Sequence, residues 1–249
     1  MKKEYISEAV WSKILTFLRG IKRIHTKNEQ KVKCFIEAVW WMSRSGAQWR
    51  LLDSSFPGWN GVFKRFNAWS RKGIWDSFLQ FCIEDPDLEH IMIDATIVRA
   101  HACAAGYGKQ TESGLGRSKG GFTSKIHAKV DALGNPLKFI ITPGQRNEIT
   151  QAEALIADSR DCYVLGDKGY DSAKFRQLLR SKNCNDIIPS RSNAKSPHEY
   201  DEHIYKERHA IECFFSKIKQ FRRIFSRFDK SVRNFTAFLC FVGALIWLR

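Results

Sequence analysis

Apolar positions recur at helical spacing through the first third of the chain and predict helices over about 5–19, 28–45 and 60–83. In the third, "VFKRFNAWSRKGIW" sets Phe63, Phe66, Trp69 and Trp75 on one face and Lys64, Arg65, Arg71 and Lys72 outside it. Turn formers in "SGAQWRLLDSSFPGW" separate the second helix from the third. Seven of the eight tryptophans lie between residues 11 and 75, so residues 1–83 read as a compositional unit. Short helices with a basic outer face suit a helix-turn-helix-like domain.

"EDPDLEH" at 84–90 reads as a linker, and the pattern then changes. "HIMIDATIV" is an apolar strand that runs into Asp94. "SKIHAKVDALGNPLKFIIT" alternates Ile126, Ala128 and Val130 against Lys125, His127 and Lys129, turns at Gly134-Asn135-Pro136, and returns as a second strand. "ITQAEALIADS" predicts a helix opened by Thr150. A strand in "CYVLGDKGYDS" follows and reaches Asp167; then come a helix in "SAKFRQLLRSK" and a short strand in "NDIIPS". After the polar loop "RSNAKSPHEYDEH" one long helical stretch finishes the chain. This order predicts an α/β sheet with helices packed on it over residues 84–249. The run "NFTAFLCFVGALIWL" is too short and interrupted for a membrane span and predicts a buried terminal helix.

Lys and Arg number 41 against 26 Asp and Glu, a net charge of +15. A globular chain this basic points to a polyanion partner, because neutralising phosphates releases counterions. At 43% hydrophobic residues the chain can bury a core, which excludes disorder. No polybasic block adjoins a lipid-seeking segment, so a membrane is not the expected partner. Seven dispersed cysteines without a CxxC, and no signal peptide, predict reduced thiols in a cytoplasm. His101 with Cys103, and His209 with Cys213, lack the tight ligand pairs of structural zinc.

Chemistry enters with "YKERHAIECFFSKIK". Read as one helix over 205–230, at about 100° per residue, Tyr205, Arg208, Glu212 and Lys219 share a face about 60° wide. Ile211, Phe214, Ile218, Phe221 and Phe225 form the opposite stripe, and Arg223, Arg227 and Lys230 return to the polar face. A surface pair at i, i+4 accounts for Arg208 and Glu212 alone. Asp94 and Asp167 each close a strand, where ligands gather in α/β sheets, although a turn or helix cap also uses aspartate there. Together three such carboxylates could hold two Mg²⁺ ions while bases hold phosphates. Without cations their crowding is electrostatically costly.

These motifs resemble those of the DDE transposases of bacterial insertion sequences, over essentially the whole chain. Tyr205, Arg208, Glu212 and Lys219 match the pattern Y-(2)-R-(3)-E-(6)-K, and "IDATIVRAH" and "VLGDKGYDS" match the segments around the two aspartates. "GRSKGGFTSKIHAKVDALGNPL" looks like the segment that precedes the second aspartate, and "VWWMSRSGAQWRLL" with "WNGVFKRFNAWSRKGIW" is similar to the small DNA-binding domain. Asp94 and Asp167 are 73 residues apart, and Asp167 and Glu212 are 45 apart, without a large insertion domain.

The resemblance implies an RNase H-like catalytic domain over 84–249 behind a helical DNA-binding domain over 1–83. It implies Asp94, Asp167 and Glu212 as ligands of two Mg²⁺ ions, which Mn²⁺ could replace. Arg208 and Lys219 would contact phosphates at the DNA end, and Tyr205 would position the backbone. The implied partners are double-stranded DNA, as terminal inverted repeats and target, and further copies of the chain in a homodimer or higher oligomer. The implied location is the bacterial cytoplasm, at the nucleoid. A non-catalytic repressor and a nuclease without strand transfer are the alternatives.

Arg117, Lys119, Lys125 and Lys129 precede or line the strand beside Asp94 and are expected to contact the DNA backbone. Replacing Arg117 and Lys119 with alanine should flatten the salt dependence of DNA binding by about one unit per lost phosphate contact. A titration of affinity against salt checks this, and an unchanged slope removes the loop from the interface.

Overall fold

The computed structural model describes residues 5–22, 24, 26–105, 114–118, 121–194 and 196–249. Lys119 and most of the glycine- and base-rich loop 106–121 therefore lie outside the described residues.

Strand β1 (His90–Ala100) pairs antiparallel with β3 (Gly121–Val130), which also pairs antiparallel with β2 (Gly116–Ser118) and with β4 (Pro136–Pro143). On its other edge β1 runs parallel to β5 (Tyr163–Leu165), which runs parallel to β6 (Asn185–Ile187). The two-residue β7 (Ser226–Arg227) adds to the far end of β1. A three-stranded antiparallel meander continued by two parallel strands gives the mixed α/β sheet that the sequence predicts, an order compatible with the RNase H-like domain that the resemblance implies.

Both faces of this sheet are covered, which explains why "HIMI" is apolar without alternation. Ile91, Ile93 and Val164 pack with α5 (Ile149–Leu155) and α6 (Ala173–Ser181). Met92, Leu165 and Ile187 face the other layer, α8 (His209–Lys219) and α10 (Val232–Trp247). The second covered face corrects the reading of β3. Lys125 and Lys129 are only 8% and 3% exposed, and His127 is buried beside them. Each side chain has a partner: Lys125 Nζ donates to Glu148 at 3.0 Å, Lys129 Nζ to Asp158 at 2.6 Å, and His127 Nε2 lies 2.8 Å from Thr142 Oγ1, while His127 Nδ1 is buried without one.

The N-terminal helices are α1 (Glu8–Gly20), α2 (Glu29–Ser45), α3 (Trp59–Arg71) and α4 (Ile74–Cys82). The stretch predicted as one helix over 60–83 is two, because the chain passes through Gly73 at φ 68°, a left-handed conformation open to glycine. These helices do not keep a separate core. Phe66 stacks on Phe238 of α10 at 4.4 Å, and Trp75 meets Phe241 edge-on at 5.4 Å. Gly243 lets α10 approach both layers: a Cβ there would stand 3.1 Å from Phe139 of β4 and 3.3 Å from Leu79 of α4.

The long C-terminal helix expected from 205 onward is also interrupted. A short α7 (Glu202–Tyr205) and a 3₁₀ turn over Lys206–Arg208 lead into α8. The chain then extends at Phe221 and forms α9 (Arg222–Phe225) before β7. Ile211, Phe214, Ile218 and Phe221 are buried as the stripe predicts, whereas Phe225, beyond the break, is 62% exposed. Arg223 and Arg227 turn inward instead of joining a polar face. Arg223 makes two bonds to the Asp229 carboxylate at 3.0 and 3.1 Å, and Arg227 donates to Ser124 Oγ at 2.7 Å and to backbone carbonyls.

The shared core predicts one cooperative unit. Phe238→Ala should destabilise by about 3–5 kcal/mol, with the N-terminal tryptophans and the sheet unfolding together. Urea unfolding followed by tryptophan fluorescence and far-UV circular dichroism checks this, and two separate transitions would show independent domains.

Candidate active site

The strand register sets the two aspartates side by side. Met92 pairs with Leu165 across the parallel β1–β5 junction, and two residues further along each chain stand Asp94 and Asp167. Contrary to the sequence reading, Asp94 does not end its strand, since β1 continues to Ala100. What ends is the parallel neighbour: β5 stops at Leu165 and the chain turns at Asp167. Asp167 caps the 3₁₀ turn Lys168–Tyr170, its Oδ1 accepting from Gly169 N at 2.8 Å. Asp94 Oδ1 accepts from Ala95 N at 2.7 Å.

Residues around the start of α8 close the site from one layer. Arg208 Nη1 donates to Asp94 Oδ2 at 2.8 Å, and Nη2 donates to Glu212 Oε1. Tyr205 lies under the same guanidinium, with its ring centroid 5.9 Å away. Lys219 reaches β1 as well, Nζ donating to Thr96 Oγ1 at 2.6 Å. Of the four residues predicted to share a face, Arg208 and Lys219 thus reach β1 directly, and Glu212 and Tyr205 stand against Arg208.

A further carboxylate, absent from the sequence reading, comes from the opposite layer. Glu148 stands just before α5. Ligand oxygens of Asp94, Glu148 and Asp167 lie within 4.8 Å of one another, the one such acidic group among the described residues. Glu212 stays outside this group, 57% exposed and joined to it through Arg208. Beneath the cluster the Tyr170 hydroxyl is buried without a hydrogen-bond partner. Burial, and then the charges of Asp94, Glu148 and Asp167, push its pKa up. Asp94 is pushed up to about 6, mainly by burial and further by Asp167, against the pull of Ala95 N–H and Arg208.

The other expected DNA-contacting bases divide. Lys64, Arg71, Lys72 and Arg117 are exposed. Arg65 is half-buried, its guanidinium 4.5 Å over Phe35 and 5.0 Å over Trp69, so it serves the helical core. Lys125 is held by Glu148 within the site, and the buried Lys129 is paired with the exposed Asp158. All seven cysteines are free thiols, and no described helix is long and apolar enough to cross a membrane.

Two family models match the chain. Residues 85–247 match the "Transposase DDE domain" model, and residues 6–79 match a model of candidate transposases of the IS4/5 family, DUF4096. A candidate transposase for insertion sequence element IS6501 of Brucella ovis is 38% identical over 132 residues, 51% of this chain and 99% of the relative. Another, for insertion sequence element IS402 of Burkholderia cepacia, is 31% identical over 128 residues, 47% of this chain and 58% of the relative. Among solved structures, a piggyBac transposase synaptic complex with hairpin DNA superposes at TM-score 0.41 and 14% identity, over 77% of this chain and 50% of that one, too loosely to match residues. The chain belongs to the DDE transposase family. It is a DNA transposase, an enzyme of metal-dependent strand cleavage and transfer, and the acidic cluster suits that chemistry.

The raised pKa of Asp94 has a sign that can be tested. Its folded value near 6, against 3.8 unperturbed, favours the folded state fully below pH about 4, and that contribution is lost as pH rises through 6. In metal-free buffer, unfolding free energies of wild type and Asp94→Asn should diverge against wild type by up to about 3 kcal/mol between pH 4 and 7. Urea unfolding across that range checks it, and a constant difference would show a carboxylate that burial does not perturb.

Proposed function

We propose that the protein binds the terminal inverted repeats of an insertion sequence, hydrolyses a phosphodiester there to free a 3′-hydroxyl, and joins that hydroxyl to target DNA. The observation that carries the reading is the Arg208 bridge between Asp94 and Glu212, beside Asp167. It joins two of the three acids expected from the sequence to a base able to hold a phosphate, with Asp167 next to one of them. Asp94, Asp167 and Glu212 would hold two divalent cations, Mg²⁺ with Mn²⁺ as a substitute. The residues fit such ions: the donors are hard carboxylate oxygens, and the crowding of Asp94 and Asp167 calls for positive charge. When bound, these ions would supply activation of the attacking oxygen and stabilisation of the leaving one.

The chain's own residues bind and orient the DNA. Arg208 can exchange its carboxylates for a phosphate, which its planar fork grips through two bonds. Lys219 stands beside Thr96, two residues beyond Asp94, in reach of the same strand. Tyr205 backs the guanidinium and positions the backbone. Water attacks phosphorus and the 3′-oxygen leaves with a proton; the freed 3′-hydroxyl then attacks a target phosphodiester and displaces its 3′-oxygen. Exposed Lys64, Arg71, Lys72 and Arg117 extend the contact to flanking duplex. Two or more copies of the chain would hold the two element ends together, at the nucleoid in the bacterial cytoplasm.

Asp94→Asn, Asp167→Asn and Glu212→Gln should each slow end cleavage on the order of 10³-fold, as loss of several kcal/mol of transition-state stabilisation implies. Affinity for repeat DNA should change only a few-fold. Arg208→Lys should impair cleavage too, since an ammonium cannot reproduce the two-bond grip. Gel-resolved cleavage of labelled ends, alongside binding, decides the matter; a folded Glu212→Gln protein cutting at the normal rate contradicts the assignment.

A further inference from the structure

We propose that Glu148 is a ligand of the site, so that the protein without DNA takes its first divalent cation through Asp94, Glu148 and Asp167 while Arg208 still holds Glu212. The inference rests on the metal-dependent reading above and adds a residue to it.

Glu148 reaches the cluster from the far side of the sheet, and its oxygens are already divided between two tasks. Oε1 accepts from Lys125 Nζ at 3.0 Å, while Oε2 points toward Asp167 past Gly169. A Cβ on Gly169 would stand 2.8 Å from Asp167 Oδ1 and 3.3 Å from Glu148 Oε2, so a side chain there would push these carboxylates from their present positions. Lys125 is nearly buried and so holds the Glu148 carboxylate in orientation, as residues behind metal ligands do.

Two observations argue against a mere Lys125–Glu148 ion pair. Such a pair would not need Glu148 set within 4.8 Å of two further carboxylates, where like charges repel. In contact at this site four carboxylates (Asp94, Glu148, Asp167 and Glu212) meet two side-chain cations, Lys125 and Arg208. The deficit of two charges is what a single divalent ion supplies. Independently, the Tyr170 hydroxyl is fully buried, facing the charge of the same three acids, and has no protein partner. A buried donor of this kind calls for an acceptor at the site, such as water carried by a hydrated cation.

The test is Mn²⁺ binding to the full-length protein without DNA, followed by calorimetry and by the loss of the free-ion electron paramagnetic resonance signal. Wild type should bind one Mn²⁺. Glu148→Gln and Asp167→Asn should weaken it by at least about 10-fold, and Glu212→Gln should leave this ion unchanged. Glu148→Asp, which keeps the charge, should retain part of the affinity, and melting temperatures without metal identify any variant that has lost its fold. Normal Mn²⁺ affinity in folded Glu148→Gln would overturn the proposal and leave Glu148 as a partner of Lys125. No Mn²⁺ binding by wild type without DNA would overturn it as well, while leaving cleavage at DNA ends to stand or fall separately. Normal affinity in folded Asp167→Asn would sink both this inference and the ligand set above.

Discussion

The Arg208 guanidinium ties the catalytic face together. It reaches from the turn before α8 to Asp94 in the middle of β1, and holds Glu212 with its other nitrogen. A pair of unit charges about 4 Å apart is worth roughly 4 kcal/mol at an effective dielectric near 20, a gain that desolvation largely offsets. The bridge is therefore a device of geometry more than of stability. It fixes where a helix carboxylate stands relative to the carboxylates of Asp94 on β1 and Asp167 just past β5, which would otherwise repel it. Lys125 does the same for Glu148 from the opposite layer. The free protein thus meets the repulsion of its own acids with side-chain cations, and Arg208 is also of the type that DNA phosphates attract.

The remaining architecture keeps this arrangement in register. Parallel pairing of β1 with β5 sets Asp94 and Asp167 at one level. Burial of both sheet faces keeps the strands from slipping, because a one-residue shift would turn apolar side chains into the wrong layer. Helix α10 is fixed between β4 and the N-terminal helices by the close approach at Gly243 and the stacking of Phe238 on Phe66. Movement of the N-terminal helices is thereby coupled to the sheet through one shared core.

Much of this was legible in the sequence for definite physical reasons. Asp94 and Asp167 follow apolar runs too uniform for anything but buried strands, and the turn of helix around Glu212 is regular enough that its face could be drawn. The errors have causes too. The polar set Lys125, His127 and Lys129 looked solvent-facing because alternation does not reveal that α5 covers the second face. The breaks at Gly73 and Phe221 depend on tertiary contacts, and Arg223 and Arg227 could turn inward because a long aliphatic stem packs well while the guanidinium finds its acceptors. Glu148 was missed since an acid before a helix ordinarily needs no further explanation. Its one sequence signal was its place between the two aspartates, ahead of the helix that joins them.

The central claim is that these acids form one cation site. Fe²⁺ bound in place of Mg²⁺, with ascorbate and peroxide, releases radicals that cut the polypeptide close to the ion. Mapping the cuts by mass spectrometry on the full chain should find them near residues 94, 148 and 167, with cuts near 212 added when DNA ends are present, and excess Mg²⁺ should suppress all of them. Cuts confined to other parts of the chain, or cuts at these residues that excess Mg²⁺ leaves unchanged, would contradict the account.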